Sequence, residues 1–464
     1  MREKVKVAFV VPSNPNAPNT SPSFGVGCIA AYLKSEVPSN EIIIVDEAAG
    51  HDITGMLSKF QPDIVGVSAS TSTVMGAYKI GDRLRKNNPS ILTVIGGVHA
   101  TNMPEEALTH FDCVVVGEGE IIFARIVQNF LDGKQVKGII QGEEVKDINT
   151  LPMIDYDLFD VEGYKNCYLG YPGVDKEPTI TITTSRGCSY HCPFCYNYLR
   201  SGKVRYLDAE RVSEEVLYLH NKYNVNQFFL ADDEFLINNR RLKEIKEFFD
   251  KKGISSWIKF VCQSRSTTIT MSVLEMLKAM GCVCLSVGFE SGCERTLNYL
   301  KHGTITIADN ERAILNCNEL GLPVGGNFIY GVFDQTFEEM KESYDWTIKQ
   351  DLSWIGTAAL VPLPATDVWK KAKELGLLPE NFDYSRLIIT SFAKKTYTLN
   401  QTVSLDVFAK FLINTARMTR LYAKRNYVKS RWKFLAFALR RPVFYWACLF
   451  HPKQMFNIIF RGKN

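Results

Sequence analysis

Thr184-Ser-Arg-Gly-Cys188-Ser-Tyr-His-Cys192-Pro-Phe-Cys195-Tyr196 decides how this chain is read. Three cysteines with three and then two residues between them close round a metal cluster only on a tight loop, and Gly187 and Pro193 supply the backbone for one. A strand-like run, Pro178-Thr-Ile-Thr-Ile-Thr-Thr184, leads into it. Three thiolates complete neither a tetrahedral zinc site nor a four-cysteine iron–sulfur cluster, because each needs four ligands. A four-iron cluster on three cysteines keeps one iron open, and an open metal position is where a substrate or cofactor binds. A zinc site completed by Cys167 or His191, and three unconnected buried thiols, are the other readings of the same residues.

Outward from that loop the chain is long for one core: 464 residues predict two or three domains. A content of 46% hydrophobic and 22% charged residues excludes a disordered chain and describes a folded, soluble one. The apolar run at Val5 to Val11 is too short for a signal peptide and reads as a first strand. No run of about 18 uncharged apolar residues appears, so no bilayer-spanning helix is expected. Cys113, Cys262, Cys282 and Cys284 fall inside apparent strands, and without an export signal the cysteines read as reduced thiols of a cytoplasmic protein.

Upstream, five short β-branched runs alternate with helix-like segments: Val5 to Val11, Ile42 to Asp46, Asp63 to Ser68, Ile91 to Gly97 and Cys113 to Gly117. Continuous apolar strands separated by helices predict an α/β domain over residues 1–135, a doubly wound parallel sheet of flavodoxin-like order. Ligands of such sheets bind beyond the carboxyl ends of the strands, and here those ends are rich in small residues. Residues 136–177, with Pro152, Tyr156, Tyr164, Tyr168 and Tyr171, read as a linker whose tyrosines pack or line an entrance.

Downstream, residues 178–395 alternate again, through strands near Gln227 to Ala231, Trp257 to Cys262, Cys282 to Phe289, Val324 to Tyr330 and Trp354 to Val361. With the strand before the cysteines this makes six βα units, too few for a closed eight-stranded barrel, so a partial (β/α)6 barrel is expected. Barrel chemistry sits at the carboxyl ends of the strands. Those ends carry Asp232 and Asp233, Gln263 and Arg265, Glu290 and Ser291, and Pro362-Leu-Pro364-Ala-Thr366. Taken alone, the paired carboxylates fit a divalent metal or a solvated acidic turn.

The CxxxCxxC spacing, with the aromatic Phe194 before the last cysteine, resembles the radical S-adenosylmethionine (SAM) superfamily. The resemblance implies a [4Fe-4S] cluster on Cys188, Cys192 and Cys195 whose open iron chelates the amino and carboxylate groups of methionine in SAM. It counts Phe194 among the SAM-binding residues and places Asp232 and Asp233 where an acid holds the methionine ammonium. Glu290 and Ser291, in Gly288-Phe-Glu-Ser291, fall at the ribose, and Pro364 at the adenine pocket. Ala365 stands where the family has glycine, which asks the backbone there to avoid positive φ.

The N-terminal sheet is similar to the cobalamin-binding domain that precedes the barrel in one large subgroup. The match rests on Gly96-Gly97-Val-His99-Ala-Thr101, Pro104-Glu-Glu106 and Gly117-Glu118-Gly119-Glu120. It implies cobalamin held against Ser68, Gly96, Gly97, His99, Gly117, Glu118 and Gly119. The sequence has no Asp-x-His-x-x-Gly after the first strand to supply a lower cobalt ligand, which is usual in this subgroup. A vestigial sheet used only for docking is the other reading, with His99 a hydrogen-bonding loop residue.

The implied activity is cleavage of SAM to a 5′-deoxyadenosyl radical that removes hydrogen from an unactivated carbon. With methylcobalamin at the barrel mouth, the expectation is a cobalamin-dependent methyltransferase acting on a small, hydrophobic or lipid-like biosynthetic substrate, with flavodoxin or ferredoxin as electron donor. Radical cyclisation, oxidation or rearrangement without methyl transfer is the second expectation, and a non-catalytic iron–sulfur protein the third.

Residues 396–464 form the last segment. From Val407 onward there is no Asp or Glu but thirteen Lys or Arg, which leaves 41 basic against 50 acidic residues on the rest of the chain. Aromatics including Trp432, Phe434, Phe444, Tyr445 and Phe450 lie among Arg431, Lys433, Arg440 and Arg441. That composition fits helices lying on an anionic membrane surface, or packed on the barrel; RNA binding is a third reading without a recognised module.

Overall fold

The computed structural model describes residues 4–14, 21–164, 171–174, 177, 179–196, 203–379, 382–384, 387, 398–428 and 431–460. Cys167 and Tyr168 lie outside the described residues, as do the side chains of Arg431, Trp432 and Lys433.

The β-branched runs of the N-terminal part form strands β1 (Val5–Val11), β2 (Asn40–Asp46), β3 (Ile64–Ser68), β4 (Leu92–Gly96), β5 (Cys113–Val116) and β6 (Gly138–Gln141). All pair in parallel, in the order β2-β1-β3-β4-β5-β6, which is the flavodoxin-like winding with one strand added. The added β6 falls in the stretch read as linker. It alternates half-buried and exposed residues at a sheet edge, so it lacks the apolar run that marks the others.

Strand β7 (Thr179–Ile182) enters the cysteine loop, and a short antiparallel pair, β8 (Ser185–Arg186) and β9 (Arg205–Tyr206), closes that loop at its base. Then follow β10 (Gln227–Leu230), β11 (Lys259–Ser264), β12 (Cys282–Glu290), β13 (Val324–Tyr330) and β14 (Trp354–Ala359). With β7 they make a six-stranded parallel sheet in sequential order, open between its first and last strands. This is the partial barrel expected from six βα units. Two of its helices start on reciprocal caps, Thr306 with Asp309 and Thr336 with Glu339, the second in the Thr-Phe-Glu-Glu stretch.

Both faces of β1 are buried, as a doubly covered sheet requires. Val5, Val7 and Phe9 share one apolar cluster with barrel residues such as Ile180, Phe228 and Phe260. Ala8 and Val10 belong to a second cluster, which Trp369, Tyr384 and Leu387 from beyond β14 complete. The barrel therefore covers one side of the first sheet, and the chain that leaves the barrel helps to cover the other.

Tyr156, Tyr164 and Tyr171 of the linker are packing residues. Tyr164 donates to Asp46 at the end of β2, while Tyr156 donates to buried Glu215 of a barrel helix at 2.6 Å, so the strap is fastened to both units. Tyr171 stacks on Phe229 and meets Trp354 edge-on, between side chains of β10 and β14.

At the C-terminal end, the helix Leu405–Val428 lies along β14 and buries Phe408 and Leu412. Shorter helices, Arg431–Ala438, Pro442–Phe450 and Pro452–Phe460, pack Phe434, Phe444, Ala447 and Met455 against Met418, Leu421 and the barrel-helix residue Tyr344. No helix among the described residues is long and apolar enough to cross a membrane.

Candidate functional site

Two cavities meet at the barrel mouth. The first, of about 350 Å³, opens beyond the carboxyl ends of β3, β4 and β5 and is lined by Ser68, Gly96, Gly97, Gly117, Glu118 and Gly119. Phe9, Val94, Val115 and Phe123 give it an apolar floor, and Thr183, Arg186, Ala231 and Asp233 of the barrel form its opposite wall. The glycines are there because the backbone itself is the wall. At Gly97 φ is +94°, and a Cβ would stand 2.7 Å from the Ala69 carbonyl oxygen; at Gly119 it would meet Ile29 Cδ1 at 2.6 Å. A cradle of bare backbone over an apolar floor suits a broad, flat ligand held by shape, the kind of group a corrin ring is.

His99 is not part of that cradle. It is fully buried, with Nδ1 3.3 Å from Thr71 Oγ1, Nε2 3.7 Å from Glu106 Oε1, and the Tyr384 ring edge-on at 4.5 Å. The loop histidine thus takes the hydrogen-bonding role and helps to hold the chain beyond the barrel. Glu118 contributes to the cavity wall, but its carboxylate is committed to cations of the short β8–β9 pair. Arg205 donates to both oxygens, at 2.6 and 3.0 Å, and Arg186 lies 3.3 Å away while donating to Glu120 at 2.6 Å. Burial alone would raise the Glu118 carboxyl, yet the bonds from Arg205 and the Val145 amide outweigh it and hold it low. Nothing in the spacing of the sequence joins Glu118 to Arg205, 87 residues apart.

The second cavity, of about 210 Å³, gathers the motif residues of the barrel: Cys188, Cys192, Phe194, Cys195, Asp233, Gln263, Arg265 and Glu290 line it together. Among the described residues no three His, Cys, Asp or Glu side chains gather tightly enough to ligate one ion, as a zinc site would need. A four-iron cluster asks for something else, since its cysteines bind different irons, and Cys188, Cys192 and Cys195 all line this one cavity. Arg265 crosses the loop with its guanidinium 3.5 Å from the Tyr190 ring centre and Nη1 3.9 Å from Cys192 Sγ, while Nη2 donates to Thr304 at 2.6 Å. Arg265 is thus a buried brace on the cysteine loop.

Asp232 and Asp233 have separate tasks. Asp232 is fully buried and lines neither cavity; it accepts from the Thr184 amide and hydroxyl and the Ser185 amide, with Arg241 3.8 Å away. Its lone pairs fix the turn into the cysteine loop. Asp233, one residue on, lines both cavities. Glu234, which the sequence reading passed over, lines the second cavity; Ser264 and Thr268 donate to its Oε1, and its buried Oε2 has no hydrogen-bond partner. Burial pushes its carboxyl up. Its place as third acid in Asp232-Asp-Glu234 was the available signal.

Glu290 reaches the cavity from a left-handed backbone position, φ +60°, and accepts from Lys301 Nζ at 2.8 Å, both side chains being buried. Ser291, next to it, does not reach the cavity. It is fully buried, bonded to Ser343 and accepting from the Cys293 amide, so its part is to shape the turn. Pro364 is likewise buried and lines neither cavity. Ala365 adopts φ +67° in spite of its side chain, contrary to the expectation, at a cost of roughly 1–2 kcal/mol. Its loop is held by Thr366, which caps the following helix, and by the Val368 amide bonded to the Pro193 carbonyl of the cysteine loop at 3.1 Å.

Comparison with known proteins agrees with this division. The radical SAM superfamily matches residues 182–347, and the B12 binding domain matches residues 15–127. An uncharacterized methyltransferase of Pyrococcus horikoshii is 30% identical over 81% of this chain and 84% of its own length. An anaerobic magnesium-protoporphyrin IX monomethyl ester cyclase of Cereibacter sphaeroides is 28% identical over 86% of this chain and 66% of its own. A bacteriochlorophyllide d C-8(2)-methyltransferase of Chlorobaculum tepidum is 26% identical over 76% and 78%. In fold, the chain is similar to TsrM of Kitasatospora setae, a radical SAM methyltransferase solved with cobalamin and a [4Fe-4S] cluster: the TM-score is 0.64 at 18% identity, covering 80% of this chain and 75% of that one. The cobalamin-dependent radical enzyme OxsB gives 0.61 at 21% identity over 80% and 55%.

Proposed function

The chain belongs to the radical SAM superfamily, in the group whose barrel follows a B12-binding domain, and from that premise we propose that it is a cobalamin-dependent radical SAM methyltransferase. The observation that carries the proposal is Asp233, which lines both cavities and so makes a cobalamin cradle and a cluster chamber neighbours. A substrate that gives a hydrogen atom at one site and takes a methyl group from the other must lie within reach of both, since reacting groups have to be brought to near contact.

The residues present fit the groups the family implies. Gly96, Gly97, Gly117 and Gly119 would hold cobalamin by backbone, and Cys188, Cys192 and Cys195 would hold the cluster. When bound, the cluster supplies an electron, SAM the adenosyl group that takes a hydrogen atom, and cobalamin the methyl group. The chain's own part is binding and orientation. The unpartnered Oε2 of Glu234, with Asp233, would accept from the methionine ammonium of SAM, an electrostatic match that offsets the desolvation of both charges. Glu290, fixed by Lys301, turns its carboxylate to the ribose hydroxyls. Phe194 and the buried brace of Arg265 on Tyr190 help to keep water from the chamber, which protects a reactive intermediate.

The substrate reading is a hydrophobic biosynthetic intermediate, supported by relatives named for magnesium-protoporphyrin and bacteriochlorophyllide. The electron donor is of flavodoxin or ferredoxin type. The cyclase relative favours a second reading, radical chemistry without methyl transfer. Anaerobic purification, iron and cobalt quantitation and incubation with SAM and reductant separate the two. Cobalt bound near one per chain and 5′-deoxyadenosine released support the proposal. Iron with no cobalt after reconstitution supports the second reading, and no 5′-deoxyadenosine removes both.

A further inference from the structure

The C-terminal helices bury one apolar face and expose a second. Phe434, Ala438, Phe444, Ala447, Met455 and Ile458 fill the cluster against the barrel. Of the twelve large apolar side chains exposed among the described residues, five lie between 439 and 456: Leu439, Tyr445, Leu449, Phe450 and Phe456, each between 52% and 72% exposed. Several are neighbours in space. The Tyr445 hydroxyl donates to the Leu439 carbonyl at 2.8 Å, Leu449 follows Tyr445 one helical turn later, and the Phe450 ring lies 5.9 Å from Trp446. Arg440, Arg441 and Lys453 are exposed in the same stretch, and no acidic residue follows Asp406.

We propose that this face docks the protein on an anionic lipid surface, with the short helices Pro442–Phe450 and Pro452–Phe460 lying in the plane of the headgroups. Each helix has 9 residues, well short of the roughly 20 that span a bilayer, so lying on the surface is the geometry open to it. The charge decides the partner. A protein partner of mixed surface charge gains nothing from a tail without acids, whereas an anionic leaflet attracts every one of its cations. An RNA partner explains the cations, but not exposed Leu439 and Leu449, which offer no ring for a base to stack on. Among the described residues none beyond Asn327 lines either cavity, so the docking face is separate from the chemistry.

The test uses the full-length, cluster-loaded protein in flotation with vesicles of phosphatidylcholine alone and vesicles containing phosphatidylglycerol. The wild type floats with the second and not the first. Arg440→Glu with Arg441→Glu lowers binding by at least roughly 30-fold, the effect of losing two basic contacts. Leu449→Ser with Phe450→Ser weakens binding while keeping iron content, helical circular dichroism and SAM cleavage. The proposal is overturned if phosphatidylglycerol vesicles do not bind, or if both variants bind them as the wild type does. It is equally overturned if Leu449→Ser with Phe450→Ser instead abolishes a concentration-dependent dimer, or if RNA and not vesicles is retained.

Discussion

Glu118 and Arg205 join the N-terminal sheet's strand-end turn to the β8–β9 pair in a two-pronged ion pair, with Oε1 to Nη2 at 2.6 Å and Oε2 to Nη1 at 3.0 Å. Arg186 reinforces it from the paired strand and reaches Glu120 as well. The two glutamates belong to the turn that walls the first cavity, and the two arginines stand at the base of the cysteine loop. The pair therefore fixes the position of one candidate cofactor site against the other.

Replacing Glu118 by Ala leaves two arginines, 13–14% exposed, facing a missing charge. Breaking a buried pair from one side costs about 3–5 kcal/mol, so the urea midpoint should fall. The double variant Glu118→Ala with Arg205→Ala should lose less than the sum of the single losses, because the second change removes an unpaired charge. Additive losses would show that the two residues act independently.

Gly96 has room that Gly97 and Gly119 lack. A Cβ there would approach nothing closer than Val115, at 3.9 Å, while the residue lines the first cavity. Gly96→Leu should therefore fold normally and fill the cradle. Cobalt content after reconstitution should fall at least about tenfold, as expected for an overpacking cost of roughly 1.4 kcal/mol or more. Iron content and release of 5′-deoxyadenosine should persist, and full cobalt retention would place cobalamin elsewhere.

Arg265 holds a positive charge 3.9 Å from Cys192 Sγ. Hydrogen bonds to the sulfurs and nearby charge set the potential of an iron–sulfur cluster, and a cation favours the more negative, reduced state. Arg265→Gln should shift the midpoint to more negative potential, with Arg265→Lys between it and the wild type. An EPR-monitored redox titration at matched iron content reads this directly.

Glu106 supplies a pH dependence remote from the chemistry. Burial alone would raise its carboxyl, but nearby His99, 3.7 Å away, and the hydrogen bonds from Tyr384 and Tyr78 outweigh that and hold it below its ordinary value of 4.5. A carboxyl held low adds stability above pH 4.5, and that share is lost as the pH falls through its folded value. The contact of Tyr384 should loosen in that acid window. Fluorescence of Trp369, whose ring lies 6.2 Å from Tyr384, should report it, and Glu106→Gln should abolish the acid-dependent part.

The order of strands and the cysteine loop were legible because both depend on neighbours in sequence. β-branched runs carry their own periodicity, and a CxxxCxxC loop carries its own spacing. The edge strand β6 escaped because a half-exposed edge needs little apolar patterning. Ala365 misled for a related reason: glycine is the default at positive φ, yet the helix cap at Thr366 and the bond to Pro193 hold alanine there.

The sequence by itself determined the two parallel sheets, the three cysteines and the glycine-rich strand ends. Tertiary structure alone decided which of two adjacent aspartates faces the cavities, that Glu234 has an unpartnered oxygen in one, and that Glu118 belongs to Arg205. The physical reason is that a carboxylate's task is set by the nearest donor in space. For Asp232 that donor is Thr184, and for Glu118 it is Arg205, 48 and 87 residues away along the chain.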